Sequence, residues 1–244
     1  MSKPTIVFVH GAFGDASSWR GVFEHLDGEE YTILAAAIPL RGVASDASYL
    51  GAVIDQLDGP VVLVGHSYSG CVITVAGASD KVAGLVYVAG FVPEEGESIA
   101  DLQARFPSLA MGNFLQPRPL PDGGVELSVD PQRFHEIFCA DVPDAEAAFM
   151  AHAQRPLLVT AFEEPAATAA WRVKPSWGVF GTGDQPIAPQ LHRFSYERAG
   201  STVTEVEGAS HFVMLSKPGV VAGVIREAVE ACSANQAVDA AGVA

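Results

Sequence analysis

The stretch that most constrains the fold is residues 60–70, Pro-Val-Val-Leu-Val-Gly-His-Ser-Tyr-Ser-Gly. Positions 61–65 form an apolar, β-branched run behind a Gly59-Pro60 turn, the pattern of a strand buried on both faces. Cys71, Val72, Ile73, Val75 and Ala76 then continue apolar as a helix. A strand that turns sharply into a helix holds out the residue at the turn, and here that residue is Ser67. A serine between glycines is a weak signal at ordinary glycine frequencies. Its strand, turn and helix setting makes Ser67 a candidate nucleophile.

The same alternation runs through the first 90 residues and predicts a parallel sheet covered on both faces. Strands are expected at Thr5–Val9, 31–37, 61–65 and 82–89. Trp19, Val22, Phe23 and Leu26 recur at helical spacing, as do Leu50, Val53, Ile54 and Leu57 behind a cap at Ser45. From 93 to 173 prolines, aromatics and short helical pieces such as 144–153 replace the alternation without a convincing strand, which predicts an inserted helical cap. Strands at 176–180 and Thr202–Val206, a helix at Pro189–Arg198 and a last helix at 218–231 restore the rhythm. The expected organisation is a core of residues 1–92 and 174–231, mostly parallel with about six strands, a cap at 93–173 and a flexible tail at 232–244.

A chain of 244 residues with 49% hydrophobic content can bury one full α/β core. Its formal charge of −15 repels polyanions, which argues against nucleic acid and anionic membrane surfaces as partners and favours neutral or cationic substrates; the partner expected is a small molecule, neutral and apolar. No apolar run is long enough to span a bilayer, and Ser2-Lys3-Pro4 leads directly into the first strand, so a cytoplasmic protein without a signal peptide is expected. Cys71, Cys139 and Cys232 lack metal-ligand spacing and are expected to be reduced thiols; no metal is expected. A homodimer is left open.

A serine hydroxyl needs a general base, and the base needs a third group to fix its tautomer. His211, in Gly208-Ala209-Ser210-His211, follows the last strand, and Asp184, in Gly181-Thr182-Gly183-Asp184, follows the one before. Both lie past the carboxyl ends of strands, as Ser67 does, where open parallel sheets bind ligands. An oxyanion on the attacked carbonyl needs two N–H donors. Tyr68 offers one at the start of the elbow helix, and the glycine-rich loop His10-Gly11-Ala12-Phe13-Gly14 offers the other, assigned to Ala12. His10, His66, His25, His135, His152 and His192 are expected to be structural, surface or cap residues.

These features together resemble the α/β-hydrolase superfamily: His10-Gly11 after a first strand, the elbow at Ser67, the chain order Ser67, Asp184, His211, and the ending His-Phe-Val-Met-Leu-Ser-Lys-Pro at 211–218. The branch they resemble most contains plant methylesterases, hydroxynitrile lyases and bacterial esterase-like proteins. The resemblance implies an α/β-hydrolase fold, Ser67 as nucleophile, His211 as base, Asp184 as orienting acid, Ala12 and Tyr68 at the oxyanion, and no cofactor. The chain departs from the family in two places. Ser69 stands where the family elbow usually has glycine. Phe212 and Gly11 stand where the branch's hydroxynitrile lyases resemble one another in a lysine and a threonine.

The expected activity is hydrolysis of a small carboxylic ester through an acyl-enzyme on Ser67. A carbon–carbon lyase or cofactor-free oxygenase on the same triad, and a low-turnover binding protein, are the competing readings. Phe13 and Phe212, with Gly11, are expected at the substrate. The cap supplies further apolar residues, namely Phe91, Phe106, Leu109, Met111, Phe114, Leu115, Phe134, Phe138, Phe149 and Trp171, some lining the pocket and most packing within the cap.

Overall fold

The computed structural model describes residues 3–28, 31–106 and 114–242. Its centre is a sheet of six parallel strands: β1 (Thr5–Val9), β2 (Ile33–Ala36), β3 (Val61–His66), β4 (Val82–Val88), β8 (Ser176–Gly181) and β9 (Thr202–Val206), in the order β2-β1-β3-β4-β8-β9. Every pairing is parallel, with Val9 opposite Gly65 and His66 opposite Val88. β1, β3 and β8 are buried along their whole length, which is why each reads as an unbroken apolar run. At the edge, β9 is half-exposed and carries polar residues between its valines.

Helices α1 (Arg20–Leu26), α2 (Val43–Asp55), α3 (Ser69–Ala76), α7 (Pro189–Arg198), the short α8 (Val213–Ser216) and α9 (Pro218–Gly242) cover the sheet. The chain moves outward from β1 to β2 and then reverses to β3. Right-handed crossovers therefore put α1 on one face and α2, α3 and α7 on the other. α9 packs on α1 and α2 on α3, in keeping with this division. The reversal leaves a crevice at the carboxyl ends of β1 and β3, the usual ligand position in such sheets.

The segment between β4 and β8 is less helical than its composition predicts. It holds α4 (Ile99–Arg105), α5 (Pro131–Phe138) and α6 (Asp144–His152), but also an antiparallel sheet of β5 (Leu115–Pro119), β6 (Val125–Val129) and β7 (Leu157–Leu158). β5 escapes a pattern reading because Pro117 and Pro119 demote it. An edge strand tolerates prolines, since one row of its N–H groups has no partner to lose. The expected residues Leu109 and Met111 lie outside the described residues.

Hydrogen bonds seam this segment to the core. The Phe13 N–H donates to the Arg155 carbonyl (3.1 Å), Leu158 N–H to Leu40 C=O (3.1 Å), and Phe212 N–H to Phe138 C=O (2.9 Å). Phe13 and Leu40 both hold φ of +61°. Two local expectations are corrected. Ser45 does not cap α2; Gly42 occupies that position at φ +145°, and the Glu164 carboxylate accepts from the N–H groups of Val43 (2.5 Å) and Ala44 (3.2 Å). The last helix does not stop near 231 but runs to Gly242, because the alanine-rich stretch after Cys232 propagates helix without an apolar stripe.

Candidate active site

Ser67 sits between β3 and α3 at φ +52°, a left-handed conformation that costs a non-glycine residue about 1–2 kcal/mol. Its neighbours hold it there: the Ser67 N–H donates to Val88 C=O (3.1 Å), and the Ser67 carbonyl accepts from Gly70 (2.9 Å) and Phe91 (3.1 Å). Close packing explains Gly65 just before it, where a Cβ would lie 2.7 Å from the Ser69 carbonyl oxygen.

The loops after β8 and β9 bring the other two groups to Ser67. They touch at Gly181, whose hydrogen faces the Ala209 carbonyl so closely that no side chain would fit. His211 Nε2 lies 2.9 Å from Ser67 Oγ, and His211 Nδ1 lies 2.7 Å from Asp184 Oδ2. Burial alone would favour the neutral acid at Asp184, but the His211 ring and hydrogen bonds from His192 and His211 outweigh it and hold the carboxyl well below the usual range. A carboxylate only accepts, so His211 Nδ1 carries the proton and Nε2 is free to accept from Ser67. The arrangement can move a proton from Ser67 to His211 while Asp184 stabilises the charge that results.

Ala12 and Tyr68 border the same cavity as Ser67. Among the described residues no main-chain acceptor takes the N–H of either. Two contacts hold them. Ser69 Oγ donates to His10 C=O (2.5 Å), joining α3 to the loop after β1, and Tyr68 Oη donates to the buried Asp46 of α2 (2.7 Å). Gly11 does not border the cavity; a Cβ there would lie 2.6 Å from His66 Nδ1 and 2.9 Å from Ser67 Cβ, so it lets the first loop lie against the elbow.

His66 lies against His211 with ring centroids 4.8 Å apart, and its Nε2–H donates to the His211 carbonyl (3.2 Å). Burial, helped by the nearby His211, pushes its pKa well below the ordinary histidine value. Asp141, between α5 and α6, accepts from the Ser210 N–H (3.2 Å) and hydroxyl, fixing the loop that carries His211.

Phe13, Phe91, Phe138, Leu157, Phe162 and Ile187 give the cavity an apolar lining. Gln103 of α4 also borders it, with a buried amide nitrogen that finds no partner among the described residues. Phe13 thus borders the cavity beside Ser67. Phe212, expected at the substrate, does not: as the residue before α8 it turns inward, fully buried against His66, Phe134 and Gly14, and does not reach the cavity. Of the aromatics expected from the sequence in the cap, Phe91 and Phe138 border the cavity, whereas Phe149 is 60% exposed.

The largest surprise is His192, expected on a helix surface. It is buried, and its Nε2 lies 3.0 Å from Asp184 Oδ2. One signal could have found it. Leu191, His192, Ser195 and Tyr196 share one face of α7 at helical spacing, and that face is buried. Asp46, Asp141, Gln103 and Phe162 were also missed and carry no comparable pattern.

The sequence profile of the alpha/beta hydrolase family matches residues 6–224. The chain is 26% identical over 255 residues to the alpha/beta hydrolase nvfD of Aspergillus novofumigatus, covering 93% of this chain and 97% of that one. A shorter stretch of 82 residues, 32% of this chain and 29% of the relative, is 42% identical to a carbendazim hydrolyzing esterase from a Nocardioides species. The crystal structure of polyneuridine aldehyde esterase superposes with a TM-score of 0.77 at 18% identity, over 96% of this chain and 99% of that one.

Proposed function

We propose, for a chain that belongs to the alpha/beta hydrolase family, hydrolysis of a small, neutral carboxylic ester through an acyl-enzyme on Ser67. One observation carries the proposal: the unbroken hydrogen-bond chain Ser67, His211, Asp184 opens at its serine end into an apolar cavity. Ser67 Oγ attacks the ester carbonyl as its proton passes to His211 Nε2, and the N–H groups of Ala12 and Tyr68 hold the oxyanion that forms. Collapse of this intermediate breaks the bond to the alcohol, which leaves with the proton from His211. A water then attacks the acyl-enzyme, gives its proton to His211 and releases the acid as Ser67 recovers its own. None of these steps needs a metal or cofactor.

The aromatic lining supports an apolar acyl or alcohol group, and the strong negative charge of the chain disfavours anionic substrates. Gly11 weighs against cyanohydrin cleavage, because the packing of His66 and Ser67 leaves no room for a threonine there. The esterase activity named for the Nocardioides relative agrees with the reading.

Ser67→Ala is expected to lower turnover of a short p-nitrophenyl ester by ~10³-fold or more, and to abolish labelling by a fluorophosphonate. Retention of the wild-type rate would rule the mechanism out.

A further inference from the structure

We propose that His192 is a positioning residue, which holds the Asp184 carboxylate in the plane from which it serves His211. The inference rests on the reading of Asp184 as the acid that orients His211.

Asp184 Oδ2 accepts from two imidazoles, His211 Nδ1 at 2.7 Å and His192 Nε2 at 3.0 Å, while Oδ1 accepts from the Ile187 N–H at 2.8 Å. With Ile187 on Oδ1 and His211 alone on Oδ2, the Oδ2 end of the carboxylate would be held only by the partner it must position. The second imidazole fixes Oδ2 from another direction. Because the carboxylate only accepts, His192 Nε2 carries the proton and its Nδ1 is bare. That bare nitrogen is buried and has no partner among the described residues. The ring stacks on Phe180 at 4.8 Å and lies 5.5 Å from Tyr196. An apolar ring would fill the same space without an orphaned acceptor, so the feature only histidine supplies here is the N–H aimed at Asp184.

The titratable groups around the cluster are His66 at the end of β3, His211 itself, Tyr196 on α7 and Tyr87 on β4. Arg193, next in sequence, lies over Phe180 and pairs with Glu205 at the surface. None of these offers Asp184 a replacement N–H. Donation from His192 draws on part of the carboxylate charge; without it, more of that charge acts on His211 and stabilises its imidazolium.

The test compares His192→Phe with His192→Gln, each normalised to competent sites by fluorophosphonate titration. His192→Phe keeps the stack and is expected to lower kcat about tenfold or more with KM within about twofold. It should also move the acid limb of kcat/KM upward by about half a pH unit or more. His192→Gln retains an N–H donor and should restore both. A purely structural role predicts fewer competent sites with an unaltered pH limb, and that result would overturn the proposal, as would a glutamine variant as impaired as the phenylalanine one. If His192→Phe does not fold, ¹⁵N imidazole spectra of the wild-type protein decide. Protonation of His192 at Nε2 supports the proposal, and protonation at Nδ1 overturns it. A fully active Ser67→Ala would remove the underlying reading; an inactive Ser67→Ala beside an unaltered His192→Phe removes this inference alone.

Discussion

Position 69 carries a serine where the family elbow usually has a glycine, and its hydroxyl reaches the His10 carbonyl. Ser69 follows Tyr68 on α3, and His10 begins the loop that leads to Ala12, so one hydrogen bond spans the two sides of the proposed oxyanion site. Its value belongs to the transition state, where both N–H groups must meet one oxygen, more than to the substrate complex. Ser69→Ala keeps nearly the same volume and removes the bond. We expect kcat to fall about tenfold, equivalent to ~1.4 kcal/mol, with KM within about twofold in steady-state assays. A change confined to KM would show that Ser69 acts on substrate binding instead. Ser67, Asp184 and His211 were legible as residues because each follows a strand and chemistry supplies a reason for its type. His192 was not, because a histidine on a helix has no such marker until the burial of that face is known.

At the scale of elements, β1 and β3 run side by side and both lead into buried histidines, His10 just past β1 and His66 at the end of β3. Burial lowers both pKa values; at His10 it prevails over the hydrogen bond to Gly11 C=O, which works the other way. In the unfolded chain each returns to about 6.5. Below that pH the unfolded state binds protons that the folded state refuses, so the stability present above about pH 6.5 is lost as pH falls, at up to ~1.4 kcal/mol per unit from each histidine. Asp184, held low in the fold, adds a further loss of the same sign below about pH 4. Urea midpoints measured at pH 7.5 and 5.5 should therefore differ, the lower pH giving the lower midpoint; equal midpoints would refute the assignment of both rings as neutral. The central strands were legible because parallel strands buried on both faces leave unbroken apolar runs, as at β3, and the edge strand β9 because it is rich in β-branched residues. β5 and the extension of α9 were not, since Pro117 and Pro119 mask a strand and the alanine-rich stretch carries helix propensity without amphipathic spacing.

Across the whole molecule, the segment between β4 and β8 closes over the site and is tied to the core loops that form it. Phe13, Leu40 and Phe212 each share a main-chain hydrogen bond with it, and Ser210 is held by Asp141. Its apolar face, through Phe138 and Phe162, supplies much of the cavity wall. The insertion and an apolar share in the pocket were legible, but not the hydrogen bonds that seat it, because such contacts join residues far apart in the chain and leave no local period. They also set an order of assembly. Phe13 and Leu40 rest in left-handed backbone that persists only when neighbours hold it, and those neighbours arrive from the far side of the sequence. After dilution from urea, the far-ultraviolet signal of sheet and helices should recover ahead of ester turnover; recovery of both in a single shared phase would contradict this. On this expectation the proposed site is completed only when the insertion docks, so a chain with a native sheet can still lack it.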